Sequence, residues 1–438
     1  MAAERSTMAS IRLATHHVGT STDLGFYALN HWNETVFHRH NSDLVLPLCE
    51  GLCTPGGTPS LEYLIYNFVV SAILMPLIGV FGLVGNGLSF FVYSRPHMRS
   101  STNIYLCALA VSDFMIVVTG LFLFTVESLK RYSLRIEQLH GYGTTVFFPL
   151  GSMAQSASVF FTVAAAVDCF MMTVCAKRCH KRTCNPCCNL STIGVLVLFA
   201  IGYNIVHFYE MDIVNCWSDK YRAESVTICP TSFRINPEYM LIYYNYMYIV
   251  FMAGGPLGLL IVLNAIIIGV TASKKKKATK LTEEAMRSGQ PMPPAEEEGE
   301  DPITLVLVVC LFIFCNSLAL IINICESEFG EAMAAIGNYL VDVSNLLVVC
   351  NSSANIIIYY VYGEPFRKTL DARLGWRQRN SSNKANDQQP PCDQPNSHPT
   401  NDNQSYDQTC DEQAPLTTTV ANQNGDMWVL NESSSTTV

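Results

Sequence analysis

The chain has 438 residues, 49% of them hydrophobic and only 14% charged, with a formal net charge of -9. So low a charged fraction excludes an ordinary soluble domain of this size and points to a membrane protein. The negative charge lies largely in the run Ala295-Glu296-Glu297-Glu298-Gly299-Glu300-Asp301 and in the C-terminal stretch; it identifies no partner, and no nucleic-acid ligand is expected.

Residues 1–62 contain no charged-then-apolar leader pattern, so they read as an outer N-terminal tail, with the first apolar run directing insertion. The sequon Asn33-Glu34-Thr35 makes Asn33 a glycosylation candidate there. Crossing about 30 Å of hydrocarbon takes about 20 helical residues. Runs of that length stand at Tyr66 to Tyr93, Ile104 to Val126, Val146 to Val174, Leu190 to Tyr209, Met240 to Val270, Thr304 to Ile324 and Ile336 to Tyr362, seven in all. Gly79, Gly82, Gly85, Pro76, Pro149 and Pro256 inside them are compatible with helix, because neighbouring helices satisfy freed backbone groups.

Lys and Arg cluster in the odd-numbered connections: Arg95 and Arg99, then Lys177, Arg178, Lys181 and Arg182, then Lys274 to Lys277 with Lys280 and Arg287. These connections are therefore expected in the cytoplasm, with the N-terminus outside a multi-pass plasma-membrane protein. The link after the sixth run has no basic residue, although Lys130, Arg131 and Arg135 follow the second. The Lys274 to Lys277 run suits contact with anionic lipid. The second inner link holds Cys175, Cys179, Cys184, Cys187 and Cys188 among bases; palmitoylation, plain reduced thiols and zinc held by Cys179, His180, Cys184 and Cys187 all stay open.

After Tyr362, Phe366 and Leu370 with Arg367, Lys368 and Arg373 fit a short amphipathic eighth helix on the inner leaflet. Residues 376–438 are rich in Asn, Gln, Ser, Thr, Asp and Pro, a composition that cannot bury a core, and are expected to be a disordered cytoplasmic tail. Its terminal Thr436-Thr437-Val438 has the form that PDZ domains take up by strand addition. The expected fold is an all-α membrane protein, a seven-transmembrane helix bundle over residues 63–375 closed by that eighth helix, with disordered tails.

The helices carry ordered motifs: Gly82-Leu83-Val84-Gly85-Asn86, Leu109-Ala110-Val111-Ser112-Asp113, Pro256, and Asn355 to Tyr359. In that order they resemble the rhodopsin-like (class A) G-protein-coupled receptors. A closer resemblance, to invertebrate FMRFamide and myosuppressin-type neuropeptide receptors, rests on Cys229-Pro230-Thr231-Ser232-Phe233-Arg234-Ile235-Asn236, Tyr239, Ile242-Tyr243, Leu263-Asn264, Phe314-Cys315-Asn316, Asn323 with Glu326, and Ser344 to Val348 running into Asn351-Ser352-Ser353. It covers roughly residues 60–375. The resemblance implies a receptor for a short amidated neuropeptide that signals to a G protein or arrestin, and no enzyme. No HExxH, GxSxG or paired membrane aspartates appear, and no repeat relates the two halves as a secondary transporter would have it.

Asp113 lies mid-membrane and must find partners in the bundle. The resemblance supplies Ser158, Asn351, Ser352 and Asn355, with Tyr359 ending the motif, which together match the family's sodium pocket. An oxygen-rich site with one negative charge suits a hard monovalent cation held at Asp113 and Ser158; a hydrogen-bonded cluster around a protonated Asp113 with no ion is the alternative. No other cofactor is expected.

Departures from the family bear on output. The acidic-Arg-Tyr triplet at the inner end of helix three, a G-protein interface, is Asp168-Cys169-Phe170, so an atypical receptor acting as decoy or scaffold is the competing reading. Ile356 replaces the helix-seven proline, and Cys315-Asn316-Ser317-Leu318 replaces Cys-Trp-x-Pro. Thr144 stands where the family has its helix-three cysteine. That leaves Cys49, Cys53, Cys216 and Cys229 outside, with three pairings; a bond between Cys216 and Cys229 would close a hairpin in the second outer loop.

A peptide ending Arg-Phe-amide needs carboxylates and aromatic walls. Outer candidates are Gln155 and Glu326 first, then Glu127 and Asp342, with Glu210, Asp212 and Glu328 as further acids and Tyr243 and Tyr339 among the rings.

Overall fold

The computed structural model describes residues 37–39, 45–49, 52–53, 59–174, 186–288, 302–328, 336–374, 420–421 and 427–428. Among them, seven helices are long and apolar enough to cross a membrane: α1 Leu61–Tyr93, α2 Ser101–Tyr132, α3 Leu134–Val174, α4 Cys188–Tyr209, α5 Pro237–Glu284, α6 Ile303–Ile322 and α7 Gly337–Tyr362. A short α8, Glu364–Leu374, follows with Phe366 and Leu370 on its buried face, as the amphipathic spacing predicts. Side-chain caps start three of the helices. Ser60 accepts from the Tyr63 amide, Ser100 from the Asn103 amide and Asn236 from the Glu238 and Tyr239 amides, satisfying donors that a helix start leaves free.

The pattern on α1 shows why these helices suit lipid. Leu77, Val80, Phe81 and Val84 are exposed while Gly79, Gly82, Gly85, Asn86 and Ser89 are buried. Small and polar residues face the bundle and large apolar ones face outward, the arrangement of a helix whose surroundings are hydrocarbon. A Cβ at Gly82 would lie 2.1 Å from Ser353 Oγ, and one at Gly85 would lie 2.7 Å from Ile356 Cγ2. The two glycines therefore let α1 seat against α7. Ile356, the residue in place of proline, fills the space beside Gly85.

At one end of the bundle, β1 (Phe37–Arg39) pairs with β2 (Val45–Pro47), and β3 (Met211–Ser218) with β4 (Ala223–Pro230), both antiparallel. A parallel bridge joins Leu48 to Trp217. Disulfides join Cys49 to Cys216 and Cys53 to Cys229. This corrects the expected Cys216–Cys229 bond. The register sets Cys216 opposite Ser225 and Cys229 opposite Asp212, so the two cysteines stand four strand positions apart, about 13 Å, beyond what a disulfide spans. The N-terminal segment is instead stapled twice onto the hairpin, with Leu52 buried against Cys216 and Cys229.

No covalent bond ties the hairpin to α3. Thr144 donates to the His140 carbonyl at 2.7 Å. A glycine makes the contact in place of a disulfide: a Cβ at Gly141 would fall 2.6 Å from Val226 Cγ2. Gln138 adds a 3.1 Å bond to the Glu224 carbonyl.

A separate unit, Ser381–Val438, contains the two-residue ladder of Val420–Ala421 with Met427–Trp428. Asn33, the cysteines of the second inner link other than Cys187 and Cys188, the acidic run at 295–301 and Thr436 to Val438 lie outside the described residues.

Candidate functional site

Asp113 is fully buried on α2. Ser158 Oγ of α3 donates to its Oδ1 at 2.9 Å, and Asn355 Nδ2 of α7 donates to its Oδ2 at 2.7 Å. Helices α2, α3 and α7 thus meet on one acid, and Asn86 of α1 donates to the Ser352 carbonyl at 2.7 Å. On α7, Asn351 Oδ1, Ser352 Oγ, Ser353 Oγ and Asn355 Oδ1 are buried without hydrogen-bond partners. A carboxylate near oxygens that lack donors is the donor set of a hard cation. One turn beyond Asn355, the buried ring of Tyr359 packs 5.2 Å from Tyr93 and 5.6 Å from Phe366, where it joins α7 to α1 and α8.

A cavity of about 740 Å³, its mouth included, opens between α2, α3, α5, α6 and α7. Gln155, the first-choice ligand residue, lines it together with Ser152, Tyr248, Ser344 and Asn345. Along α7, Ser344, Val348, Asn351 and Asn355 recur at helical spacing, so one face of this helix serves both the cavity and Asp113.

The other candidates are not gathered into this cavity. Asp342 faces α1, where Asn67 Nδ2 donates to it at 3.0 Å, and Tyr339 packs 5.3 Å from Tyr63 and 4.8 Å from Tyr66. Glu127 pairs with Lys130 at 3.6 Å on the surface. Tyr243 bonds the Tyr203 carbonyl at 2.9 Å and contacts His207 at 3.3 Å. Glu326 lies on helix α6's continuation to Glu328, with its side chain outside the described residues.

One network was not foreseen from the sequence. Glu210, wholly buried, takes a 3.2 Å ion pair from Arg234, 2.7 and 2.8 Å bonds from Tyr244, a short bond from Tyr239 and a 3.2 Å contact from His207. Arg234 also stacks 4.1 Å over the Tyr244 ring. This acid is committed to the protein's own guanidinium, which removes it from the ligand candidates. The signal lay in the stretch from Cys229 to Asn236, which brings a basic residue to the start of α5 beside several tyrosines. Phe148, a cavity residue, packs 5.0 Å from His207, so the network backs the cavity wall.

The model of the 7 transmembrane receptor (rhodopsin family) matches residues 85–359. The chain belongs to that family of receptors. It is 41% identical over 350 residues to the Probable G-protein coupled receptor frpr-1 of Caenorhabditis elegans, covering 75% of this chain and 86% of that one. It shares 27% identity over 380 residues with the FMRFamide receptor of Drosophila melanogaster, covering 83% of this chain but 63% of the relative's length. The FMRFamide peptide receptor frpr-18 of C. elegans is 30% identical over 306 residues, 68% of this chain and 67% of its own. This chain is therefore a multi-pass receptor and not an enzyme.

At the opposite end of the receptor from its disulfides, Asp168 accepts from Ser101 Oγ and Thr102 Oγ1, both at 2.7 Å, and Asn189 Nδ2 donates to Ser101 at 2.6 Å. Neutral donors tie α3 to α2 and α4. Cys169 is buried, its Sγ 3.9 Å from Thr173 Oγ1, and Phe170 packs against the adjoining core.

Proposed function

We propose that this receptor binds a short amidated peptide of the FMRFamide type at its disulfide-bearing end, outside the plasma membrane, and signals to a G protein or arrestin within. Disulfides at one end and lysines at the other support this orientation, since disulfides persist in oxidising compartments and Lys and Arg stay cytoplasmic. The peptide class follows from the relatives named for FMRFamide. The shared α7 face, with Ser344 and Asn345 on the cavity and Asn355 on Asp113, is the observation that carries the mechanism. Asn345 and Asn355 are ten residues apart, about 15 Å of helix. A ligand that favours a shifted or rotated α7 must also change the bond of Asn355 to Asp113, which couples the two sites.

Asp113, Ser158, Asn351, Ser352 and Asn355 would hold a sodium ion, which would neutralise the buried carboxylate. Asn33 is proposed as a glycan site, Lys274 to Lys277 as a contact for anionic lipid, and Thr436 to Val438 as a PDZ ligand.

Cys169 supports a second reading. A thiol cannot supply the charge or reach of an arginine, and Asp168 is occupied by hydroxyls, so a receptor that binds peptide yet couples weakly is the alternative. Cells expressing the chain should answer some amidated Arg-Phe peptide at submicromolar dose in a G-protein or an arrestin assay. Binding without either response would favour the decoy role.

A further inference from the structure

We infer that Asn264, on the inner half of α5, biases this receptor toward signalling: its buried carboxamide is unmet while α5 is closed on α3 and α6, and is met only when that inner end parts. The inference rests on the reading that the chain signals to a G protein or arrestin. It goes further by naming a residue that sets the balance between the resting and signalling arrangements.

Asn264 lies ten residues before Lys274, about 15 Å of helix. It is 4% exposed, and neither its Nδ2 nor its Oδ1 has a hydrogen-bond partner among the described residues. On the same buried face of α5, Leu260, Leu263 and Ile267 share one apolar core with Cys169 of α3 and with Val308, Val309 and Phe312 of α6. Other carboxamides of the bundle are answered by their own helix. Asn204 donates to the Ala200 carbonyl at 2.7 Å, and Asn316 to the Phe312 carbonyl at 2.8 Å. Asn264 makes no such bond to Leu260. Two turns further on, at the spacing that keeps to one helix face, Thr271 Oγ1 is also buried without a partner.

A carboxamide has two N–H donors and an accepting oxygen, and leaving them unpaired away from water costs the desolvation of each group. The closed packing bears that cost. An arrangement that parts α5 from α3 or α6 lets water or a partner's backbone reach the amide. Thr271 continues the polar row toward Lys274, whose Nζ donates to the Thr173 carbonyl at 2.8 Å at the end of α3. The penalty is therefore relieved in the open arrangement alone, and a group that meets two states unequally shifts their populations by that difference. One unmet buried polar group is worth on the order of 10-fold in the ratio of open to closed.

The test uses the full-length receptor with Phe-Met-Arg-Phe-amide as the probe. Surface display and basal and peptide-stimulated G-protein and arrestin output are read in cells, and melting is read on the purified receptor. Asn264→Leu removes the unmet groups and keeps the space filled, so it should melt above the wild type, lower basal output and raise the peptide concentration for half response by roughly 10-fold. Asn264→Ala should shift signalling the same way yet melt below the leucine variant, because it leaves a cavity. Thr271→Val should follow the leucine variant by a smaller amount. A residue that only packs would give the opposite pattern, with signalling lost in step with stability. A leucine variant that melts at or below the wild type, or leucine and alanine variants with wild-type basal output and potency, would overturn the inference. If the leucine variant does not reach the surface, the signalling of the alanine and valine variants decides. Silence of the displayed wild type in both assays would remove the signalling reading and this inference with it; a responding wild type matched by its variants would remove the inference alone.

Discussion

Asp113 and Glu210 are both fully buried acids, and their surroundings set them different tasks. Asp113 has neutral hydrogen-bond donors and nearby oxygens with none, so it is open to a cation. If sodium binds there, raising it to ten times its dissociation constant adds about 1.4 kcal/mol to the folded receptor, roughly 2–4 °C in melting temperature. Purified wild-type receptor should therefore melt higher in sodium chloride than in choline chloride, and Asp113→Asn should abolish the difference. Glu210 already has its cation. Arg234→Ala would leave a buried carboxylate unpaired, a loss of about 3–5 kcal/mol that a melting experiment would register, whereas substitution of exposed Glu127 should change stability by less than about 1 kcal/mol.

At the scale of elements, α1 and α7 are held together by what is missing between them. Gly82→Ala would drive a methyl into Ser353, where the gap is 2.1 Å and the nearest backbone atom is at 3.1 Å. Overpacking of this kind costs about 1–3 kcal/mol. Because α7 also carries Ser352 and Asn355, the variant should lose ligand response along with thermal stability. Gly87 is the control, since nothing lies within 4 Å of a Cβ there; Gly87→Ala should melt with the wild type. The partner helix gives the physical difference: Gly82 meets Ser353 of α7, and Gly87 meets no neighbour.

Across the whole molecule, the two disulfides bind segments 167 and 176 residues apart. Removing a bond that closes so long a loop typically costs about 2–5 kcal/mol. Mass spectrometry of the unreduced receptor should find Cys49 linked to Cys216 and Cys53 to Cys229. A peptide joining Cys216 to Cys229 would refute the register of the hairpin. The Cys53→Ala/Cys229→Ala double variant should lower the melting temperature, because the Cys49–Cys216 bond alone then staples the N-terminal segment to the hairpin.

Composition and run length were enough to read seven membrane helices, because crossing hydrocarbon demands about 20 apolar residues whatever the neighbours are. The motif order was enough to place Asp113 with Ser158 and Asn355, since each occupies a fixed turn of its helix. What depended on approach between distant segments was not legible. The cysteine pairing required the strand register, and the committed state of Glu210 required knowing that Arg234 folds back onto it. The dispersal of Asp342, Glu127 and Tyr243 away from Gln155 depended on helix rotation, which an outward-facing apolar pattern fixes only coarsely. The seat of the Tyr359 ring on Tyr93 and Phe366 likewise required knowing how α1 and α8 approach α7. Local rules determined which segments cross the membrane and which polar residues they carry; tertiary structure alone decided which of those residues meet, because contact is set by packing between helices and not by position along any one of them.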